Sequence, residues 1–156
     1  MCLRNLVEKL LPHAHRLDAE ASWEQIALHV VDDWGMQAAH LAFFGKDTTT
    51  DVISQRYAPF PGERGSMGEI IVNTQQAVRA SATARWSWQK ELALYVAHGL
   101  DHLHGGLDDT HIQQQQMRRR ELRWLRQIEK QGFAFESLLS SPPNKSLPAA
   151  PTPQSP

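Results

Sequence analysis

The chain has a single cysteine, Cys2, which excludes an internal disulfide framework and any thiolate-rich metal site. It has no apolar run near the ~18–20 residues of a spanning helix, so a membrane protein is not expected. Its first residues, MCLRNLVEKLLPHAHRLD, break their apolar stretch with charges and offer no small-residue cleavage site. No signal peptide is therefore expected, and one free thiol is compatible with the cytoplasm, the location expected. Charge of one sign is also lacking. Lys and Arg number 16 against 17 for Asp and Glu, a formal net charge of -1. The chain as a whole is no basic nucleic-acid binder, and any RNA contact has to come from a local patch. No internal repeat is visible.

What remains suits one small domain. The chain has 156 residues, 41% of them hydrophobic, enough for a real core. Residues 141–156, SPPNKSLPAAPTPQSP, hold six prolines and are expected to be a disordered tail behind a domain of residues 1–140. Apolar residues at 3, 6, 7, 10 and 11 predict a helix that Pro12 interrupts. EQIALHVV at 24–31 reads as a strand. Asp32 or Asp33 would cap a helix to about Phe43. DVIS at 51–54 and EIIVN at 69–73 read as strands, with a Pro- and Gly-marked loop between them. Helices follow at 75–84, at 86–104, and from a cap at Asp109 or Thr110 to about Gly132. The fold expected is α+β: a short mixed sheet packed with helices, with a metal site on a central helix.

That metal site comes from the histidines. Four of the eight fall between residues 98 and 111. His98 and His102 are four apart on a predicted helix and share a face, so both imidazoles can hold one ion. Gly105 and Gly106 turn the chain and bring Asp108 back towards the same ion. Two histidines and a carboxylate leave an open position, the layout of a catalytic zinc site, where bound water has its pKa lowered to about 7. His111 is the rival third ligand. His104, two positions on, is expected to point away into solvent, and Asp101 to be solvated or to support the ligands. Position 99 is glycine, where HExxH metalloproteases carry their general base, so a peptidase of that mechanism is disfavoured. A mid-helix glycine would let another backbone or a substrate approach the metal face.

The stretch HGLDHLHGGLD at 98–108 resembles the HGxLHLxGYDH signature of the YbeY-type endoribonucleases, bacterial rRNA maturation factors with three zinc-binding histidines. His98, Gly99, His102, Leu103 and Gly105 match, and Asp108 stands at the third histidine. GKDTTTDVIS at 45–54 is similar to the family's GKDxPTDVLSFP, and GEIIVN at 68–73 to its GDIxIS. Glu91-Leu92 and Met117 also fall at family positions, so the likeness runs over about residues 24–132. Asp101 replaces a leucine, Gly106-Leu107 a Tyr-Asp pair, and Phe44 an arginine that the family places just before GKD. Arg56 stands downstream as a substitute for that arginine. The family also opens with a strand before its first helix, whereas this chain reads as helix from the start.

The resemblance implies a cytoplasmic, zinc-dependent endoribonuclease with one zinc per chain on His98, His102 and Asp108, and with Arg56 as catalytic cation. Its partners would be single-stranded RNA, rRNA among it, and the ribosomal small subunit, in rRNA maturation and ribosome quality control. Arg119, Arg123 and Arg126 are spaced for one face of the last helix, where residues 113–130 carry six cations against two acids, a balance of +4. They read as an RNA-binding face or as an ordinary solvated one. Leu122, Leu125, Ile128 and Glu129 would be buried opposite them. The tryptophans read as core or half-buried residues. Two further readings stay open: a ribosome-associated RNA-binding protein that has lost cleavage, and a metal-dependent hydrolase on another substrate.

Overall fold

The structure, a computed structural model, describes residues 2–142; the expected tail lies outside these apart from its first two residues. Five helices surround a three-stranded mixed sheet. The chain runs α1 (Leu3–His15), β1 (Trp23–Val31), α2 (Asp33–Phe44), β2 (Val52–Tyr57), β3 (Ser66–Asn73), α3 (Thr74–Ala84), α4 (Trp88–Leu103) and α5 (His111–Lys130). A short 3-10 turn, Phe135–Ser137, follows. β3 is central, parallel to β1 and antiparallel to β2.

The elements start where side chains satisfy free backbone N–H groups. Asp32 caps α2 by accepting from Gly35 N, and Ser87 caps α4 by accepting from Lys90 N. Asn73 closes β3 and opens α3, accepting from Gln75 N and Gln76 N. Thr110 and Gln113 form a reciprocal capping box on α5.

Helix α1 does not stop at Pro12; it continues to His15. Leu6, Leu10 and Ala14 are fully buried at four-residue spacing, and this burial outweighs the backbone hydrogen bond that proline removes near the helix end. β3 starts at Ser66, three residues earlier than its apolar run, because Gly68 lies on the strand under Leu103 and Trp23.

Helix α4 is the centre of the molecule. It packs against α1, α3, α5 and both β2 and β3, and eleven of its residues are buried. Gly99 makes that depth possible. A Cβ there would stand 2.7 Å from Cγ2 of Ile70 on β3, so the glycine admits the sheet rather than a substrate. A second, smaller apolar cluster of Met36, Ile53 and Ile71 sits under α2. Only Met36 of α2 is buried, and Trp34 is exposed, unlike the half-buried position expected for the tryptophans.

Candidate metal centre

His98 and His102 leave the last two turns of α4 side by side, their rings edge to face at 4.5 Å. Their Nε2 atoms are 3.1 Å apart. Helix α4 ends at Leu103, and Gly105, at φ 89, reverses the chain. The loop then returns Asp108, whose Oδ2 lies 3.7 Å from His98 Nε2 and 3.4 Å from His102 Nε2. Gln114 of α5 fixes this loop by donating to the Asp108 carbonyl at 2.9 Å. His111 stays outside the cluster, exposed on α5, with its Nε2 3.0 Å from Gln115 Nε2.

The outer ring nitrogens are held as well. His98 Nδ1 donates to Glu121 Oε1 at 2.8 Å, and His102 Nδ1 donates to the Gly106 carbonyl at 3.0 Å. With the protons on Nδ1, both Nε2 atoms turn lone pairs towards each other and towards a carboxylate. Three acceptors in that arrangement repel one another unless a cation lies among them. An ion with four tetrahedral bonds of about 2.0–2.1 Å needs ligand atoms roughly 3.3–3.4 Å apart. The separations of 3.1, 3.4 and 3.7 Å bracket that value, so the residues fit a metal ion.

Glu121 is the functional residue that sequence reasoning missed, counted there only as a charge among arginines. It falls on the buried stripe of α5 with Met117, Trp124, Leu125 and Ile128. A carboxylate on an apolar stripe was the available signal. Burial pushes its pKa up, while the hydrogen bond from His98 works against that rise. Burial disfavours charge on His98, but the hydrogen bond and charge of Glu121, with Asp51 and Asp108 beyond, outweigh it and raise the pKa.

His104 is not solvated. It is buried, accepting at Nε2 from Trp23 Nε1 at 3.0 Å and donating from Nδ1 to the Leu100 carbonyl at 2.7 Å. Burial lowers its pKa, so it serves as a neutral bridge between α4 and β1. Asp101 is not solvated either. It is fully buried and takes two 2.8 Å hydrogen bonds from Arg120.

Two clefts flank the cluster. One, of about 510 Å³, has His40, Phe44, Ser54, Gln55 and Arg56 in its walls beside His98, His102 and Asp108. In it, Arg56 lies 4.8 Å over the Trp23 ring, with Nη1 3.4 Å from both Asp18 Oδ2 and the Leu103 carbonyl. The other, of about 380 Å³, is lined by Asp51, Tyr95 and Arg118 along with His98 and Asp108. Arg119, Arg123 and Arg126 are all exposed on α5, and none of them lines either cleft. Glu129, expected in the buried stripe, is exposed and pairs with Lys90 at 2.9 Å.

A family model for "Endoribonuclease YbeY" matches residues 2–129. The chain belongs to the endoribonuclease YbeY family. Proteins named endoribonuclease YbeY from Anaeromyxobacter sp. and Halalkalibacterium halodurans are similar to it. The first is 31% identical over 119 residues, covering 76% of this chain and 59% of that protein. The second is 32% identical over 112 residues, covering 64% and 70%. A solution structure of a Thermotoga maritima protein shares the fold, with a TM-score of 0.56, 22% identity, and coverage of 92% of this chain and 91% of that one. Against the YbeY signature, two departures form one unit with Arg120. A Cβ at Gly106 would collide with Asp101 Oδ1, so the small residue at 106, the buried acid at 101 and its partner Arg120 depend on one another.

Proposed function

We propose that this YbeY-family member is a zinc-dependent endoribonuclease acting on single-stranded RNA, in small-subunit rRNA maturation and ribosome quality control in the cytoplasm. The observation that carries the reading is the convergence of His98 Nε2, His102 Nε2 and Asp108 Oδ2 at an open cleft. The RNA substrate is supported by the family and by its relatives' name; the rRNA and ribosome roles are supported by the resemblance of the motifs.

In this reading the two imidazoles and the carboxylate hold one zinc. When bound, the ion supplies an activated water and positive charge next to the phosphate. Glu121 and the Gly106 carbonyl keep both histidines in the tautomer that presents Nε2. Replacing the family's third histidine by Asp108 keeps a ligand that zinc accepts, and adds negative charge to the site. Arg56 gives the cleft a fixed cation for charge developing on the phosphate. The exposed arginines 119, 123 and 126 attract the RNA backbone from outside the cleft.

A second reading, an RNA-binding protein without cleavage, is favoured by one observation: Phe44 occupies the cleft where the family carries arginine. Incubation of single-stranded RNA with the zinc-loaded protein separates the two. Cleavage that stops with chelator and in His102→Ala is the outcome expected. RNA binding without cleavage in the loaded protein would favour the second reading.

A further inference from the structure

We propose that Phe44 and His40 form a stacking subsite for one nucleobase of the RNA strand whose phosphate lies at His98, His102 and Asp108. The inference rests on the endoribonuclease reading and assigns the part of the cleft lined by Phe44 and His40. Phe44 is the last residue of α2 and is 50% exposed. Gly45, in the left-handed region at φ 67, ends the helix directly behind it, and its N–H returns to the His40 and Leu41 carbonyls. The chain therefore stops with the phenyl ring presented at the cleft rather than folded into the core.

The ring is supported by two aromatic neighbours. His40 meets it edge to face at 5.7 Å, and Phe43 lies tilted at 6.3 Å. The His40 imidazole is itself anchored, with Nδ1 2.7 Å from the Thr48 carbonyl and 3.3 Å from Thr48 Oγ1. A half-exposed aromatic with a braced back is what a planar ligand needs, because every base has a π-face to lay on it. The same cleft also has polar residues in its walls, with Ser54 and Gln55 available to the edges of a base. The cleft's volume of about 510 Å³ is within the range that small-molecule sites occupy.

The substitution of the family's arginine by Phe44 then has a chemical sense. A cation for the phosphate is exchanged for a platform for the base next to it, and the strand's position is set by stacking rather than by charge. Asp51, in the same cleft, makes an apolar contact to the base preferable there to a further phosphate contact.

The test uses the full chain, loaded with zinc, and short single-stranded RNAs carrying 2-aminopurine at successive positions. The wild type is expected to quench the probe most strongly at one position, adjacent to the scissile phosphate. Phe44→Leu, which keeps an apolar side chain but no ring, should lose that position-specific quench and bind RNA about five- to a hundredfold more weakly. Phe44→Trp should keep both. Zinc content and far-UV circular dichroism should be unchanged in both variants. Unchanged affinity and quench in Phe44→Leu, with cleavage by the wild type intact, would overturn the subsite and leave the endoribonuclease reading standing. A zinc-loaded wild type that neither binds nor cleaves any of these RNAs would overturn both.

Discussion

Removing Asp101 should destabilise the protein through the partner it leaves behind. Its carboxylate is fully buried and takes two 2.8 Å hydrogen bonds from Arg120, whose side chain is 27% exposed. Breaking a fully buried pair costs roughly 3–5 kcal/mol, because a buried charge is left uncompensated. Arg120 has partial access to solvent and can recover some hydration, so we expect about 2–3 kcal/mol for Asp101→Ala. That is a large share of a total stability of about 5–15 kcal/mol. Urea denaturation of Asp101→Ala, Arg120→Ala and the double variant measures the coupling. Arg120→Ala should be similarly costly, and the double variant much less so than the sum of the two. The pair also supports the turn that delivers Asp108, since Asp101 Oδ1 fills the space beside Gly106 and the Gly106 carbonyl accepts from His102. Metal affinity should therefore fall in Asp101→Ala. Strictly additive losses, or a loss below about 0.5 kcal/mol, would refute the reasoning.

Four further outcomes are expected. Glu121→Ala should weaken zinc binding roughly 10- to 100-fold by freeing the His98 ring, as equilibrium competition with a chromophoric chelator would read. Protons compete with the ion at His98, whose pKa in the metal-free protein is raised, so zinc affinity should begin to fall with acidification at a higher pH than an ordinary histidine would give. Hydrogen bonds from Arg79 foremost, opposed by burial and aided by Asn73, hold Asp33 down at about 2, below its ordinary carboxylate value. A depressed folded pKa gives stability that is present above the unfolded value and lost as pH falls through the folded one. The wild-type advantage over Asp33→Asn in thermal denaturation should therefore be steady near neutrality and shrink between about pH 4 and pH 2. Neutralising Arg119 and Arg123 together should lower RNA affinity and flatten its dependence on salt; an unchanged slope would make them an ordinary solvated face.

The α+β order of elements and the convergence of His98, His102 and Asp108 were legible because both depend on short-range spacing. His98 and His102 share a helix face by periodicity alone, and Gly105 marks the turn that returns Asp108. The misreadings concern what surrounds that face. His104 was placed in solvent because it points away from His98 and His102, but that direction leads to β1 and Trp23. The pairing of Asp101 with Arg120 was not legible because it needs α4 and α5 to be docked. Glu121 was hidden for the same reason. Pro12 failed to stop α1 because burial of Leu10 and Ala14, a tertiary effect, exceeds a local helix penalty. The long-range partners of α4 are what local patterns do not carry.

The most direct test of the central claim is the metal content of the purified native protein, measured by mass spectrometry beside His102→Ala, Asp108→Ala and His111→Ala. One zinc per chain is expected in the wild type and in His111→Ala, with most of it lost in His102→Ala and reduced in Asp108→Ala. Full zinc in His102→Ala, or loss in His111→Ala with none in Asp108→Ala, would contradict the assignment of the centre.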